Sequence, residues 1–446
     1  MATSLTRRDL LKAGGGLAAA GLVTGCSSPL ATSLFGSQPA TADVLFWHLF
    51  GGGDGANMTT MVGDVEKDAR ISVEPTLLSW GNPYYTKLSL AATSGRPPDV
   101  AVAHLSRLPL LARAGLLRPL QDAGVAQAGI VKDKFTPAAW EKATVDGTPY
   151  AVPLDTHPFV LFYNVDLARK ANLLGDDGGL RPLAGKTEFV GALEAMKKAG
   201  AEYGAISANT TDPTTNWRWF MTLYAGLVGR DKPVVDDLGT RLTLDRDAAE
   251  QVFAFMQDLT GKSGLMPGTA TPVTVSTLFG QGKAGFLFDG VWQIPTYRGL
   301  KNLHFDVRPF GKILGDTAAS YADSHSLVFP RRSSYSDRRS RDAVDFVHGL
   351  LEHSLTWADG GHVPAWLPTQ HSAAFEKLKP QSGYVQAAFD AVYDPPGWYT
   401  GAGSDFQTAM GSVISSVLGG HMSPRAGVDA MTSSLRTFST ARPPVS

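Results

Sequence analysis

The chain has 446 residues, a formal net charge of −1, and 43% hydrophobic and 18% charged residues, the balance of an ordinary globular protein. Acidic and basic residues are mixed along it, so neither a nucleic-acid-binding face nor a polybasic membrane patch is expected. Its length exceeds what one hydrophobic core usually serves, which predicts two domains or lobes.

The first element is an export signal. Arg7-Arg8, an apolar run from Leu17 to Val23 and small residues before Cys26 form a signal peptide over residues 1–25. The run is too short to span a bilayer as a helix. Thr6-Arg7-Arg8-Asp9-Leu10-Leu11-Lys12 resembles the twin-arginine motif, an address read by a receptor. Leu22-Val23-Thr24-Gly25-Cys26 resembles the lipobox of bacterial lipoproteins, which implies lipidation of Cys26 and attachment at the extracytoplasmic face of the cytoplasmic membrane. Cys26 is the only cysteine, so no intrachain disulfide can form. Residues 26–42, rich in Ser, Thr, Ala, Pro and Gly, read as a flexible linker.

Order is expected from Val44-Leu45-Phe46-Trp47, a buried strand. Met58, Met61, Val62 and Val65 then mark one face of a helix. Ile71 and Val73 alternate as a strand, and a second helix covers Tyr85 to Ala92, before Gly95 and Pro97-Pro98. Asp99 to Val102 reads as a strand, followed by a helix carrying Leu110, Leu111 and Ala114 that ends at Gly115. Further strands are expected at Phe159 to Tyr163, Phe286 to Phe288 and Ser326 to Phe329, the last stopped by Pro330. Helices are expected around Phe189, Leu193 and Met196, around Val252, Phe255, Met256 and Leu259, and around Val344, Val347 and Leu351. This alternation predicts α/β lobes with largely parallel sheets. No short-period repeat is present.

Four segments carry a family resemblance. They are Ser94-Gly95-Arg96-Pro97-Pro98-Asp99-Val100, Gly147-Thr148-Pro149-Tyr150-Ala151-Val152-Pro153, Phe162-Tyr163-Asn164-Val165-Asp166-Leu167, and Phe279-Gly280-Gln281-Gly282-Lys283-Ala284 followed by Asp289-Gly290-Val291-Trp292. In this order they resemble the extracellular solute-binding proteins of ABC importers, in the carbohydrate (maltose-binding-protein-like) branch. The resemblance implies a two-lobed α/β periplasmic-binding-protein (type II) fold with a hinge and an interlobe cleft. Residues 43–156 plus 322–356 would form lobe 1, and 157–321 plus 357–446 lobe 2. It implies a lipid-anchored protein that captures a carbohydrate, closes around it by hinge motion and delivers it to a permease. No bond in the ligand would change, so no enzyme activity is implied.

Sugars present apolar ring faces and hydroxyl edges, which call for aromatic rings with polar side chains around them. In open α/β sheets ligands bind beyond the carboxyl ends of the strands. Trp47 and His48 end the first strand, Trp80 the second, and His104 to Arg107 the third. A gapless alignment from Pro98 to Leu117 puts Ser106 and Arg107 on the family's sugar-contacting positions. Asp155 and His157 lie at the lobe crossover, His157 where the family carries an acidic ligand residue. Asn216 and Arg218 fall on further contact positions, and Trp292 on the family's stacking tryptophan. Trp398 sits in a late loop of the kind that reaches the cleft. Trp140 and Trp357 are expected to be packing residues. Acidic contact residues are replaced by Ser106, His157 and Asn216, which puts maltose itself in doubt. The arginines leave an acidic sugar, a glycerol phosphate or a glycerophosphodiester open as ligand.

Two other classes find less support in the sequence. A glycosidase would need two carboxylates across a cleft, with Asp155 and Asp289 as candidates, but no catalytic signature surrounds them. A zinc-uptake protein could use His48, His104 and His157, which lack ligand spacing, so no metal site is expected. Gly51-Gly52-Gly53 is not followed by the Gly-Lys-Ser/Thr of a phosphate loop, and no Gly-x-Ser-x-Gly occurs. No cofactor is expected, and the chain is expected to be a monomer.

Overall fold

The computed structural model describes residues 42–236 and 238–442. The signal peptide over 1–25, Cys26 and the linker as far as residue 41 lie outside the described residues. The strands are β1 (Val44–His48), β2 (Val73–Leu77), β3 (Val100–His104), β4 (Thr144–Val145), β5 (Thr148–Pro149), β6 (Ala151–Pro153) and β7 (Asp155–Asn164). They continue with β8 (Tyr203–Ile206), β9 (Ala284–Gly290), β10 (Phe305–Arg308), β11 (Ser320–Asp323), β12 (His325–Val328), β13 (Val363–Pro364) and β14 (Ala391–Val392).

One sheet has the order β2-β1-β3-β12-β6 and the other β14-β11-β7-β9-β8, with β10 and β13 also paired to β7. β4 and β5 pair by themselves. The expected parallel pairing holds for β2-β1-β3, β8-β9 and β11-β14. It fails elsewhere: β12 runs antiparallel to β3 and β6, and β7 antiparallel to β9, β10, β11 and β13. The reason lies in the connections. β12 follows β11 after the single residue Ser324, so it enters the first sheet straight from the second rather than through a crossover helix. Leu154 likewise separates β6 in the first sheet from β7 in the second. These two switches, with residues 362–364 where β13 pairs to the start of β7, form the hinge.

Each sheet has its own core. The helix Gly52–Ala69 buries Met58, Met61, Val62 and Val65, the predicted 3.6-period face, against the first sheet. In β7 the pleat sends Phe159, Leu161 and Tyr163 into one core of the second lobe, and Val160 and Phe162 into another on the opposite face. A strand covered on both sides reads as a continuous apolar run, as Phe159 to Tyr163 does. Trp357 and Trp366 pack into the first core. Past residue 356 the chain thus touches both lobes, since Val363, between these two tryptophans, packs in the second. The apolar environment of each indole requires a partner for its N–H: Trp357 donates to Asp155 Oδ2 at 2.6 Å and Trp366 to Glu352 Oε1 at 3.2 Å.

Candidate functional site

A cavity of about 340 Å³ opens between the lobes, at the carboxyl end of the first sheet and against the hinge. Leu49, Phe50 and Gly51 leave β1 and enter it, with Asp54 from the first turn of the helix Gly52–Ala69. A carboxylate is favourable there, because the unpaired N–H groups of a helix start carry partial positive charge. Trp80, in the turn after β2, also lines the cavity and remains 44% exposed. His104 ends β3 and faces the cavity, its Nδ1 2.7 Å from the Tyr85 hydroxyl.

The second lobe supplies the opposite wall. The helix Pro213–Val228 presents Thr214 and Arg218, one turn apart on one face. Asp212, just before it, accepts from Thr214 Oγ1 at 2.6 Å and Thr215 Oγ1 at 2.8 Å. Burial opposes ionisation of Asp212, but Arg218 and these hydroxyls hold its carboxyl below the ordinary carboxylate value. Trp292 follows β9 and lines the cavity, with the Arg218 guanidinium 4.9 Å above its ring centre and the His157 ring 5.9 Å away, edge to face. Gly290 makes this placement feasible: a Cβ there would stand 2.0 Å from the edge of the indole.

The hinge forms the floor through His157, Tyr321, Asp323 and His325. Burial pushes the Asp323 carboxyl up to about 6. Beneath them Asp155 is fully buried. Its Oδ1 lies 3.0 Å from His157 Nδ1, and its Oδ2 lies 2.7 Å from His325 Nδ1 and 3.1 Å from His362 Nδ1. Burial opposes its charge, but the surrounding imidazoles hold its pKa well below the ordinary value. The ligand atoms of Asp155, His157, His325 and His362 all lie within 4.8 Å of one another. This corrects the sequence-level grouping. His157 meets His325 and His362 around one carboxylate, while His104 stands 5.6 Å from His157 by ring centres and His48 stacks between Phe46 and Phe50.

Among the residues singled out from sequence, Trp80, His157, Arg218 and Trp292 line the cavity and Asp155 supports its floor. The others do not line it. Trp47 is half-buried against the first core with the Lys87 ammonium 5.4 Å over its ring. His48 accepts from the Phe50 amide at 3.4 Å. Ser106 is taken up by Asp323, to which its hydroxyl donates, and by the Ala402 amide, which donates to Ser106 Oγ at 3.0 Å. Arg107 lies over Tyr85 and donates to Asn82 Oδ1 at 2.6 Å and to the Thr400 carbonyl at 3.3 Å. Both side chains bind the late loop to the first lobe instead of facing the cavity. Asn216 is half a helical turn from Thr214 and Arg218, so it points away, donating to the Asn209 carbonyl at 3.1 Å and Ser415 Oγ at 2.8 Å. Trp398 packs on the second core. Phe50, Asp54, Asp212, Thr214, Asp323 and His325 also line the cavity and are not among the residues expected from sequence. Thr214 had a usable signal, four residues before Arg218, and Asp323 and His325 adjoin the lobe boundary expected at 321/322, which marks the return crossing.

Residues 30–347 match the family described as Bacterial extracellular solute-binding protein. The Maltodextrin-binding protein MdxE of Bacillus subtilis (strain 168) is 25% identical over 309 residues, covering 69% of each chain. Among solved structures, the GacH receptor of Streptomyces glaucescens, studied unliganded and with acarbose, superposes with a TM-score of 0.70 at 20% identity over 90% of this chain and 99% of that one. An ABC transporter solute-binding protein of Thermotoga lettingae, bound with α-D-tagatose, gives 0.68 at 21% identity, over 89% of this chain and 99% of that one. These likenesses show the two-lobed periplasmic-binding-protein (type II) fold.

Proposed function

The chain belongs to the bacterial extracellular solute-binding protein family, and we propose that it is the substrate-capturing component of an ABC importer, holding a short, neutral carbohydrate between its lobes. The observation that carries this is the cavity lining: two tryptophans, Trp80 and Trp292, among the carboxylates Asp54, Asp212 and Asp323 and the imidazoles His104, His157 and His325. Indoles suit the apolar faces of a pyranose, and carboxylates accept its hydroxyl hydrogens. Where Ser106, His157 and Asn216 seemed to leave few acids for this, Asp54, Asp212 and Asp323 come from other elements. Among the described lining residues Arg218 is the single arginine or lysine, set against those three aspartates. That balance disfavours an acidic sugar or a phosphate ester. A volume of about 340 Å³ is at the small end of ligand pockets (about 300–1,000 Å³), which favours a short saccharide over a long maltodextrin.

A glycosidase would need its two carboxylates at the substrate. Asp155 is wholly buried among nitrogen donors, and Asp289 is not among the described lining residues. Export, lipidation at Cys26 and delivery to a permease complete the reading. A tether to about residue 42 would raise the effective concentration of the receptor beside its permease. Thermal melting of the protein against monosaccharides, oligosaccharides, sugar acids and glycerophosphodiesters tests it, since a ligand of the folded state raises Tm. A shift with neutral saccharides is expected; shifts confined to anionic ligands would reverse the choice of substrate class.

A further inference from the structure

Three chain segments pass between the lobes at the cavity floor. β7 starts there at Asp155, β11 gives way to β12 there through Ser324, and the segment before β13 brings in His362, with Val363 paired to Thr156. Each segment brings an imidazole to the same carboxylate. Asp155 Oδ2 faces His325 Nδ1 at 2.7 Å, His362 Nδ1 at 3.1 Å and Trp357 Nε1 at 2.6 Å, more donors than one oxygen can serve in good geometry. His362 is the one left over. It is 0% exposed, and among the described residues its Nδ1 has no hydrogen-bond partner although it points into the cluster. Its other nitrogen, Nε2, lies 3.1 Å from Asp54 Oδ1. An imidazole that gives one N–H to a carboxylate and turns its second nitrogen on a shared centre has the arrangement of a metal-ligating histidine.

We propose that Asp155, His157, His325 and His362 form a site for a divalent transition-metal ion of the zinc class that ties the three hinge segments together. Three imidazole nitrogens and one carboxylate oxygen suit tetrahedral Zn²⁺, whereas Ca²⁺ and Mg²⁺ prefer oxygen ligands. The ligand atoms already lie within 4.8 Å of one another. Four ligands at about 2.0–2.1 Å from an ion stand roughly 3.3 Å apart, so side-chain rotation closes the set. The four-ligand set leaves no open position, which makes the role structural. His157 and His325 also line the ligand cavity, so the ion would stiffen the wall that the cargo touches.

The test uses the full chain produced without an added histidine tag and stripped with a chelator. Titration with Co²⁺ should give the intense visible d–d bands of tetrahedral coordination at one ion per chain, and Zn²⁺ should abolish them and raise Tm. Mg²⁺ and Ca²⁺ should not compete. His362→Gln should remove the bands. Asp54→Asn, which keeps all four ligands, should weaken binding about 10–100-fold, and it carries the test if His362→Gln does not fold. His371→Gln, at an exposed imidazole, should leave binding unchanged. Tetrahedral bands lacking at one equivalent of Co²⁺, or bands that survive unweakened in both His362→Gln and Asp54→Asn, would overturn the site.

Discussion

Gly290 and Trp292 permit a test of the cleft that leaves the fold in place. Gly290 has φ −85°, a conformation open to any residue, so Gly290→Ala adds no backbone strain. The added methyl would stand 2.0, 2.1 and 2.3 Å from three indole carbons of Trp292, far inside contact distance. The indole is half-buried and ends the side chain, so it will swing out, losing its place beside His157 and under Arg218. An aromatic anchor is worth about 2 kcal/mol or more in an interface, which corresponds to roughly 30-fold in Kd. Overpacking costs about 1–3 kcal/mol in a closed core, and less where the crowded group can move to solvent. Gly290→Ala is therefore expected to bind the best saccharide of the melting screen about 30-fold more weakly, by titration calorimetry, with little loss of Tm. Trp292→Ala should lose about as much. The double variant should be no worse than Trp292→Ala, because the methyl acts only through the ring. Full affinity in Gly290→Ala, or additive losses in the double variant, would refute the placement of Trp292 as the stacking platform.

Asp289 supplies a pH prediction. Burial pushes its carboxyl up to about 7 from 3.8, so the folded state holds a proton that the unfolded state releases. Stability should then fall as pH rises from about 4 to 7, and Asp289→Asn should raise stability at pH about 8, by at most about 4 kcal/mol, but not at pH about 4, as denaturant melts across pH would show. Arg107→Ala strips Asn82 and the Thr400 carbonyl of a donor and should cost about 1–3 kcal/mol in a denaturant melt. Its effect on saccharide affinity should be the smaller one; a large affinity loss at unchanged stability would make Arg107 a direct contact. Asn216→Ala should lower stability by a similar amount through Asn209 and Ser415, with Kd unchanged within about twofold in calorimetry.

The elements and their buried faces are legible in the order of the amino acids. Met58, Met61, Val62 and Val65 repeat at helical spacing, and Phe159 to Tyr163 is apolar on both sides, because local burial imposes a period that a linear reading can find. The strand-end rule pointed to Trp80 and the family resemblance to Trp292, both of which line the cavity, but the same rule also offered Trp47 and His48, which do not. Side-chain direction was another matter. Ser106, Arg107 and Asn216 occupy the expected chain positions, yet the late loop at Thr400 and Ala402, and the loop at Asn209, engage them. Those partners lie hundreds of residues away for Ser106 and Arg107, and on the opposite helix face for Asn216. The floor of the site was the least legible part. His157, His325 and His362 share no spacing, and only the meeting of three interlobe crossings brings them to Asp155. Periodicity reports what each segment buries; the hinge is made by segments distant in sequence, so what the cleft rests on follows from their packing in space.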